Sequence, residues 1–195
     1  MKSILIILLS CIFLTATAQV NDTKNHSAYA AIEVDPAPFI LGGYSVSLKV
    51  SPSQFPHLTL MGSVYSSGLP DKMITSINYE NGFRNLKINT SYALFADYFI
   101  KSDRTGFHFG PSVFLYSKSV EETISHSTTT FNSVYPNLRA GYVYRPFKKA
   151  GFYINPWLNL GKEYLSGDTR IKEKEFYSPS ITYIVAVHFG YQVNF

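Results

Sequence analysis

The sequence is poor in charge and almost free of cysteine, and both shortages narrow the class of protein. Charged residues make up 15% of its 195 residues, against roughly a quarter in soluble domains. Aromatic residues reach 16%, so part of the surface is expected to face a solvent other than water. The single cysteine, Cys11, lies in an apolar N-terminal run, which excludes a disulfide framework from the rest of the chain.

Other absences exclude further classes. Beyond the N-terminal run, no apolar stretch approaches the roughly 18 residues that a membrane-spanning helix needs. The net charge of +4 is spread along the chain, without the basic stripe of a nucleic-acid surface. Metal-ligand spacings, phosphate-binding glycine loops and nucleophile elbows are also missing. We therefore expect no nucleic acid, no metal and no cofactor.

The first residues have the three parts of a secretory signal. Lys2 precedes an apolar core, which ends in a small-x-small site at Ala18. We predict a cleaved signal peptide at 1–18 and one exported domain at 19–195, since that length suits a single core. A lipoprotein box around Cys11 is the alternative, although apolar residues follow it.

Alternation of apolar and polar residues is the main structural signal. It is clearest in 180–195, where every second residue from Ile181 to Phe195 is apolar or aromatic. A helix cannot imitate a period of two over this length. The same pattern, in places shorter or noisier, predicts eight strands: 28–34, 39–50, 57–66, 86–100, 107–118, 134–145, 151–161 and 180–195.

Short and long connections alternate between these strands. The short ones are 51–56, 101–106 and 146–150; the long ones are 67–85, 119–133 and 165–179, with 35–38 as a brief member of the long set. In an up-and-down meander the short turns share one end and the loops share the other. Transmembrane barrels show this asymmetry, with periplasmic turns and longer extracellular loops.

Three prolines fall inside the predicted strands. Because proline cannot donate a hydrogen bond to a neighbouring strand, we expect Pro111, Pro136 and Pro156 at bulges or near strand ends.

Charged and amide side chains concentrate on the less apolar strand faces. They are Glu33, Lys49, Lys87, Asp97, His108, Lys118, Arg139, Arg145, Asn155, Asn159, Glu163 and His188. The interior of an eight-stranded barrel is just wide enough for side chains to fill, whereas a midplane Arg or Lys facing lipid costs about 2 to 4 kcal/mol. We predict an all-β, eight-stranded antiparallel up-and-down transmembrane β-barrel. A secreted soluble barrel that carries a ligand, with its faces reversed, is the alternative.

The residues 188–195 (His-Phe-Gly-Tyr-Gln-Val-Asn-Phe) resemble the C-terminal β-signal of bacterial outer-membrane proteins, with Phe189, Tyr191, Val193 and Phe195 as its assembly residues. The mature chain resembles the small eight-stranded barrels of the outer membrane protein X and A type. That resemblance implies a monomer in the cell outer membrane. It also implies contact with outer-membrane lipid and lipopolysaccharide, and with the barrel-assembly machinery during biogenesis.

Polar residues on the inward faces are expected to pair inside the barrel. Asp97, His108 and Arg145 flank the periplasmic turns and are predicted to cluster there. Arg139 and Glu163 are predicted to pair nearer the outer rim, because their strands are neighbours. His188 belongs to the same inward polar set. We interpret these residues as structural, because buried charges need partners.

The function predicted first is that of a non-enzymatic outer-membrane barrel acting through its loops in adhesion, envelope integrity or surface interaction. An unknown extracellular ligand would bind the loops 67–85, 119–133 and 165–179, where Tyr79, Phe83 and Arg84 suit contact with a partner.

Two other functions remain open at this stage. A narrow pore for small solutes requires an interior that is not filled. A lipid A-modifying enzyme, such as a deacylase, requires a base within reach of a hydroxyl. The only nearby candidates are Ser125, His126 and Ser127, with Glu121 and Glu122 upstream, and neighbours on an extended chain point in opposite directions.

Overall fold

The computed structural model describes residues 27–147 and 150–195, so the predicted signal peptide lies outside the described residues. Within that part of the chain, no helix is long and apolar enough to cross a membrane. The strands are β1 (Tyr29–Val34), β2 (Tyr44–Ser51), β3 (Leu58–Gly68), β4 (Phe83–Phe99), β5 (Gly106–Glu122), β6 (Ser127–Val143), β7 (Phe152–Gly161), β8 (Tyr164–Ser166), β9 (Arg170–Ile171), β10 (Lys174–Glu175) and β11 (Thr182–Asn194). The helical segments are α1 (Pro36–Ile40), a 3-10 helix (Asp71–Met73) and α2 (Ser76–Glu80).

Eight of these strands form a closed antiparallel barrel, as the sequence predicts. Each strand from β1 to β6 pairs with the next, and β11 closes the ring between β7 and β1. The last strand joins the first through the register Tyr29↔Asn194 to Val34↔Phe189. The expected up-and-down topology is therefore confirmed.

The two strand faces have opposite character. Buried and exposed residues alternate along β2, β6 and β7. The outward side chains form what we call the apolar belt, which includes Ile32, Leu48, Leu60, Leu94, Phe109, Leu115, Leu138, Leu158, Leu160, Val185 and Phe189. The inward side chains include the charges, among them Glu33, Lys49, Asp97 and Arg139. Because apolar side chains cover the outside and ions fill the inside, the soluble carrier with reversed faces does not fit.

The connections at the two ends differ in size. The connections after β2 (52–57), β4 (100–105) and β6 (described for 144–147 and 150–151) are short and lie at one end. At the other end the chain folds into a structure that we call the head (residues 69–87, 118–133 and 163–180), which holds α2, the 3-10 helix and β8 to β10.

Three predicted boundaries are wrong at the head end. Residues 39–43 do not extend β2; Phe39 and Ile40 complete α1. That helix is capped by Asp35, whose carboxylate accepts a hydrogen bond from Ala37 N at 3.0 Å, with proline in its first turn. The predicted loop 119–133 is a β-hairpin, in which β5 and β6 stay paired as far as Glu122↔Ser127. β4 begins at Phe83, inside the predicted loop 67–85.

The three prolines lie inside strands and face outward, so their predicted place at bulges or strand ends is wrong. Each lies where one ladder of hydrogen bonds is interrupted without a change of register. The β4–β5 ladder is interrupted at Pro111, the β6–β7 ladder at Pro156, and the edge of β6 passes from β7 to β8 at Pro136. Since proline has no N–H, these gaps are where a strand interior can hold it.

Lys87 is exposed, which contradicts its predicted inward position. Two register shifts in the β4–β5 pairing, between Arg84 and Lys87 and between Ile88 and Thr90, change the phase of the strand. A bulge adds a residue to one strand, so side chains on its two sides change face. Ile88 is consequently buried.

Candidate functional site

The inside of the barrel is filled by alternating polar and aromatic layers. Nearest the short turns lies an apolar layer made of Tyr29, Ala31, Phe99, Val143 and Tyr153. Its residues come from four strands and meet because an eight-stranded barrel has room only for side chains.

A buried ionic group formed around Glu33 lies above that layer. The Glu33 carboxylate binds Lys49 Nζ on β2, accepts a hydrogen bond from the Tyr153 hydroxyl at 2.7 Å, and lies 2.8 Å from His188 Nδ1. All four side chains are at least nine-tenths buried. Glu33, Lys49 and His188 belong to the inward polar set read from the sequence, but the Tyr153 hydroxyl was missed because an inward tyrosine looks like simple filling.

A second buried ionic group joins β4, β5, β6 and β7. Arg139 Nη1 lies 3.3 Å from Asp97 Oδ2, and His108 Nδ1 lies 3.4 Å from Asp97 Oδ1. His108 Nε2 lies 3.0 Å from Asn155 Oδ1. The Arg139 guanidinium also stacks between the rings of Phe95 and Trp157, at 4.6 and 4.7 Å from their centroids. The structure therefore brings Asp97, His108 and Arg139 together.

Two predicted pairings are wrong. Arg139 does not reach Glu163; the Glu163 carboxylate instead binds Lys118 Nζ and accepts a hydrogen bond from Ser133 Oγ. Arg145 does not join Asp97, since its Nη2 donates to Gln192 Oε1 at 2.7 Å. In the register of β6 and β7, Arg139 lies opposite Asn159, four residues from Glu163, or about 13 Å along an extended strand.

An aromatic layer blocks the middle of the barrel. It is built from Met61, Ile88, Ala93, Phe95, Phe114, Tyr116, Tyr135 and Trp157. Phe95 packs edge-on against Phe114 at 5.2 Å, and Phe114 stacks on Tyr116 at 5.7 Å. The Tyr135 hydroxyl donates to Asn159 Oδ1 at 3.0 Å or to Thr182 O at 2.8 Å. Rings from facing strands therefore occupy the bore at this height.

The head has an apolar core of its own, which covers the mouth of the barrel. It consists of Ile74, Phe83, Leu86, Val120, Phe131, Ile171 and Phe176. Phe83 packs edge-on against Phe176 at 5.5 Å. Asn78 on α2 fixes the neighbouring loop, because its amide exchanges two hydrogen bonds with the backbone of Tyr177, at 2.8 and 2.9 Å. Phe83 is thus a core residue, and its predicted role in contacting a partner is wrong.

An ion pair ties the β-hairpin to β10 in the head. Glu122 Oε1 lies 2.8 Å from Lys174 Nζ, and Glu122 Oε2 accepts hydrogen bonds from Ser125 N and Ser125 Oγ at 2.8 and 2.7 Å. The bond from Lys174, followed by those from Ser125, lowers the pKa of Glu122 to about 2. The carboxylate is therefore ionised at neutral pH, as the ion pair requires.

The outer surface of the head carries exposed apolar side chains. These are Met73, Ile77, Tyr79, Ile124 and Tyr177. The Arg84 guanidinium lies over the Tyr79 ring at 3.2 Å from its centroid and donates to Tyr79 O at 2.8 Å. Tyr79 and Arg84 therefore form one stacked surface feature, whereas the sequence suggested two separate contact residues.

The serine and histidine of the hairpin tip are not arranged as a nucleophile and its base. Ser125 Oγ donates to Glu122, whereas His126 Nδ1 lies 3.0 Å from Glu121 Oε1. The two side chains therefore bind different carboxylates, and His126 is largely exposed. No group of three metal-ligating side chains occurs in residues 27–147 and 150–195.

The four predicted assembly residues lie on the outward face of the last strand. Phe189, Tyr191 and Val193 alternate with the inward Gly190 and Gln192, and Phe195 follows β11, its N–H bonded to Ala28 O at 2.9 Å. They continue the apolar belt toward the end of the barrel that carries the short turns.

No protein-family model and no curated protein matches the sequence. Among solved structures, the chain is similar to the N-terminal β-barrel domain of OprF from Pseudomonas aeruginosa, with a TM-score of 0.47 and 14% identity over 85% of this chain and 97% of that chain. It is similar to Neisserial surface protein A, with a TM-score of 0.42 and 13% identity over 87% of this chain and 95% of that one. It is also similar to a major outer membrane protein from Thermus thermophilus, with a TM-score of 0.42 and 13% identity over 86% of this chain and 100% of that chain. At such low scores, the fold assignment rests on this chain's own strand pairing.

Proposed function

We propose that the chain is an outer-membrane barrel that conducts no solutes, catalyses no reaction and acts through its head. Support for the location comes from the apolar belt, since lipid solvates such an exterior and water does not. The end with the short turns then faces the periplasm and the head faces outward. In this proposal Phe189, Tyr191, Val193 and Phe195 are read by the barrel-assembly machinery.

The observation that carries the proposal is the contrast between a filled interior and an apolar outer surface on the head. The apolar layer near the short turns, the two buried ionic groups, the aromatic layer and the head core together fill the barrel. The exposed side chains of Met73, Ile77 and Tyr79 meanwhile lie on or next to α2. Exposed apolar patches beside aromatic and arginine side chains are typical of contact surfaces, so we assign adhesion or binding of an external partner to this surface.

The test compares cells that produce the wild-type chain with cells that produce Met73→Ser/Ile77→Ser/Tyr79→Ser. We expect the triple variant to reach the outer membrane in equal amounts and to lose most of its adhesion to surfaces and to other cells. The matched control, Lys172→Ser/Glu173→Ser, changes exposed polar residues of the same head and keeps adhesion. Equal adhesion of all three chains would contradict the proposed role of the head.

Conductance in a planar bilayer tests the filled interior. We expect no sustained openings, because side chains occupy the bore at several heights. Sustained openings of the wild-type barrel would instead support the narrow pore and overturn the proposal.

A further inference from the structure

The barrel wall has a gap on one side of its last strand. β1 has six residues and pairs with β11 only as far as Val34↔Phe189, whereas β11 continues to Thr182 and stays paired with β7 along that length. Beyond Val34 the chain turns into α1 instead of continuing the wall. We call the space between α1 and residues 182–188 of β11 the seam.

Backbone groups of β11 point into the seam without a partner strand. Gln192 N donates to Gly151 O beside β7, and Phe195 N donates to Ala28 O beside β1. Because successive residues of a strand direct their N–H and C=O groups to opposite sides, the odd-numbered residues Tyr183, Val185 and Val187 face the seam. Within residues 27–147 and 150–195, no strand pairs with this edge above Phe189.

A cavity of about 80 Å³ lies behind the seam. It is lined by Asp35 and Pro38 on the side of α1, by Val185 on the side of β11, and by Tyr65, Phe114 and Trp157 from inside the barrel. Three of the residues that line it, Ser45, Ser63 and Ala186, have small side chains. Ala186 is paired directly with Trp157, so the indole lies beside the void, and its Nε1 donates to no described acceptor.

The exposed side chains next to this cavity are apolar. Val185 is exposed and belongs to the apolar belt; Phe39 and Ile40 of α1 are also exposed, the latter at 83%. Backbone N–H and C=O groups without a partner are costly against hydrocarbon, because acyl carbons cannot form hydrogen bonds with them. The ester carbonyl oxygen of a lipid would accept a hydrogen bond from one free N–H of β11 and remove part of this cost, while the acyl carbons would fill the cavity.

We propose that the seam binds a lipid of the leaflet on the head side of the membrane, with its ester carbonyl at the free edge of β11 and its acyl carbons entering the cavity beside Trp157. This inference rests on the proposed membrane location. It adds a lipid site in the barrel wall, separate from the head.

The single tryptophan of the chain makes the proposal directly testable. The full chain is folded into vesicles of phosphatidylcholine brominated along its acyl chains, and insertion is checked by the heat-dependent shift in gel mobility. Bromine quenches indole fluorescence only at short range. Trp157 points into the barrel and is buried, so we expect strong quenching only if an acyl chain enters the cavity.

A larger side chain at Ala186, which lines the cavity, tests whether an acyl chain occupies it. Ala186→Phe is expected to lose most of the bromolipid quenching; Ala186→Leu serves if the larger substitution does not insert. The matched control is Ala140→Phe, which adds the same ring to the outward face of β6 and keeps the quenching. A chain that inserts but shows equal quenching in wild type and Ala186→Phe overturns the lipid site, whereas a wild-type chain that fails to insert overturns the membrane location itself.

Two further outcomes would identify another occupant and also overturn the proposal. Quenching of Trp157 by aqueous acrylamide, without quenching by bromolipid, would show that the seam opens to water. Bromolipid quenching that disappears as the density of barrels in the vesicle rises would show that a second copy of the chain covers the seam.

Discussion

Two arginine–carboxylate pairs in this protein have the same separation and opposite surroundings. Arg139 lies 3.3 Å from Asp97 in the barrel interior, where the two side chains are 0% and 1% exposed. Arg170 lies 3.3 Å from Glu175 in the head, where they are 67% and 36% exposed. Distance alone would rank the pairs as equal. Burial makes their contributions to stability different. Water screens the exposed Arg170–Glu175 pair, whereas no water reaches Arg139 or Asp97 to solvate the charge that remains when its partner is removed.

The comparison also separates the roles of the two regions. Inside the barrel, Glu33 and Asp97 each meet charged side chains from other strands, so removal of one partner leaves a charge buried without its counter-charge. On the head, the exposed Arg170–Glu175 pair contributes little, and the apolar core holds the structure together. A third pair, Glu122–Lys174, lies between these extremes, since the carboxylate is buried and the ammonium is partly exposed.

The largest effect is expected for Arg139→Ala. Removing the guanidinium leaves the Asp97 carboxylate buried without its main partner and takes away the packing on Phe95 and Trp157. We expect a loss of about 3 to 5 kcal/mol in the free energy of unfolding. Urea titration in lipid vesicles, followed by the gel-mobility shift, measures it.

A double variant sharpens this prediction. In Asp97→Asn/Arg139→Met both charges are removed together, and we expect much of the lost stability to return, because no unpaired charge remains. If the double variant is as unstable as Arg139→Ala, the packing of the guanidinium against Phe95 and Trp157 contributes more to stability than its charge does. An unchanged titration for Arg139→Ala would contradict an interior held together by ions.

An intermediate and pH-dependent effect is expected for Glu122. Its pKa falls from an ordinary 4.5 to about 2 in the folded head, so the folded head favours the ionised form. That contribution is complete above pH 4.5 and is lost as the pH falls toward 2. The protection of β10 against hydrogen exchange, corrected for the lower intrinsic exchange rate in acid, should therefore decrease over this interval, and cleavage of the head by pepsin should accelerate.

Glu122→Gln is the matched variant for that experiment. It should open the head faster at neutral pH, and as the pH falls from 4.5 to 2 it should change less than the wild type does, since the titrating group is gone. Parallel pH profiles for the two chains would mean that another carboxylate is responsible.

The smallest effect is expected for Arg170→Ala. The pair is exposed and single, so its loss should change the free energy of unfolding by less than about 1 kcal/mol. The urea titration used for Arg139→Ala provides the direct comparison. Equal losses for the two alanine variants would refute the claim that burial separates the pairs.

Strand periodicity predicts most of the polar side chains that enter the barrel. Alternation alone places Asp97, His108 and Arg139 inward, because a strand directs successive side chains to opposite faces. The inward prediction for Lys87 is wrong, because two register shifts in the β4–β5 pairing change which residues of β4 face inward. Such shifts leave little trace in composition.

The hairpin of β5 and β6 shows a different limit. Its outer part, 119–133, is rich in serine and threonine and was predicted as a loop. The strands continue because Val120 and Phe131 face inward and pack in the head core, while the polar residues face water. A pattern with two buried residues is too sparse to recognise as a strand until the core that receives them is known.

The sequence by itself determined the barrel, the direction of its strands and the separation of an ionic inside from an apolar outside, because these follow from a period of two and from the cost of charge in lipid. The tertiary structure alone decided which ions meet. Arg139 binds Asp97 across an intervening strand, and Glu163 binds Lys118, because strand register sets the height of every inward side chain. It also decided that β1 stops short of β11. The alternation in 39–50 predicts a strand, whereas Phe39 and Ile40 complete α1, which packs against β2, β3 and β11 and leaves the seam in an otherwise closed wall.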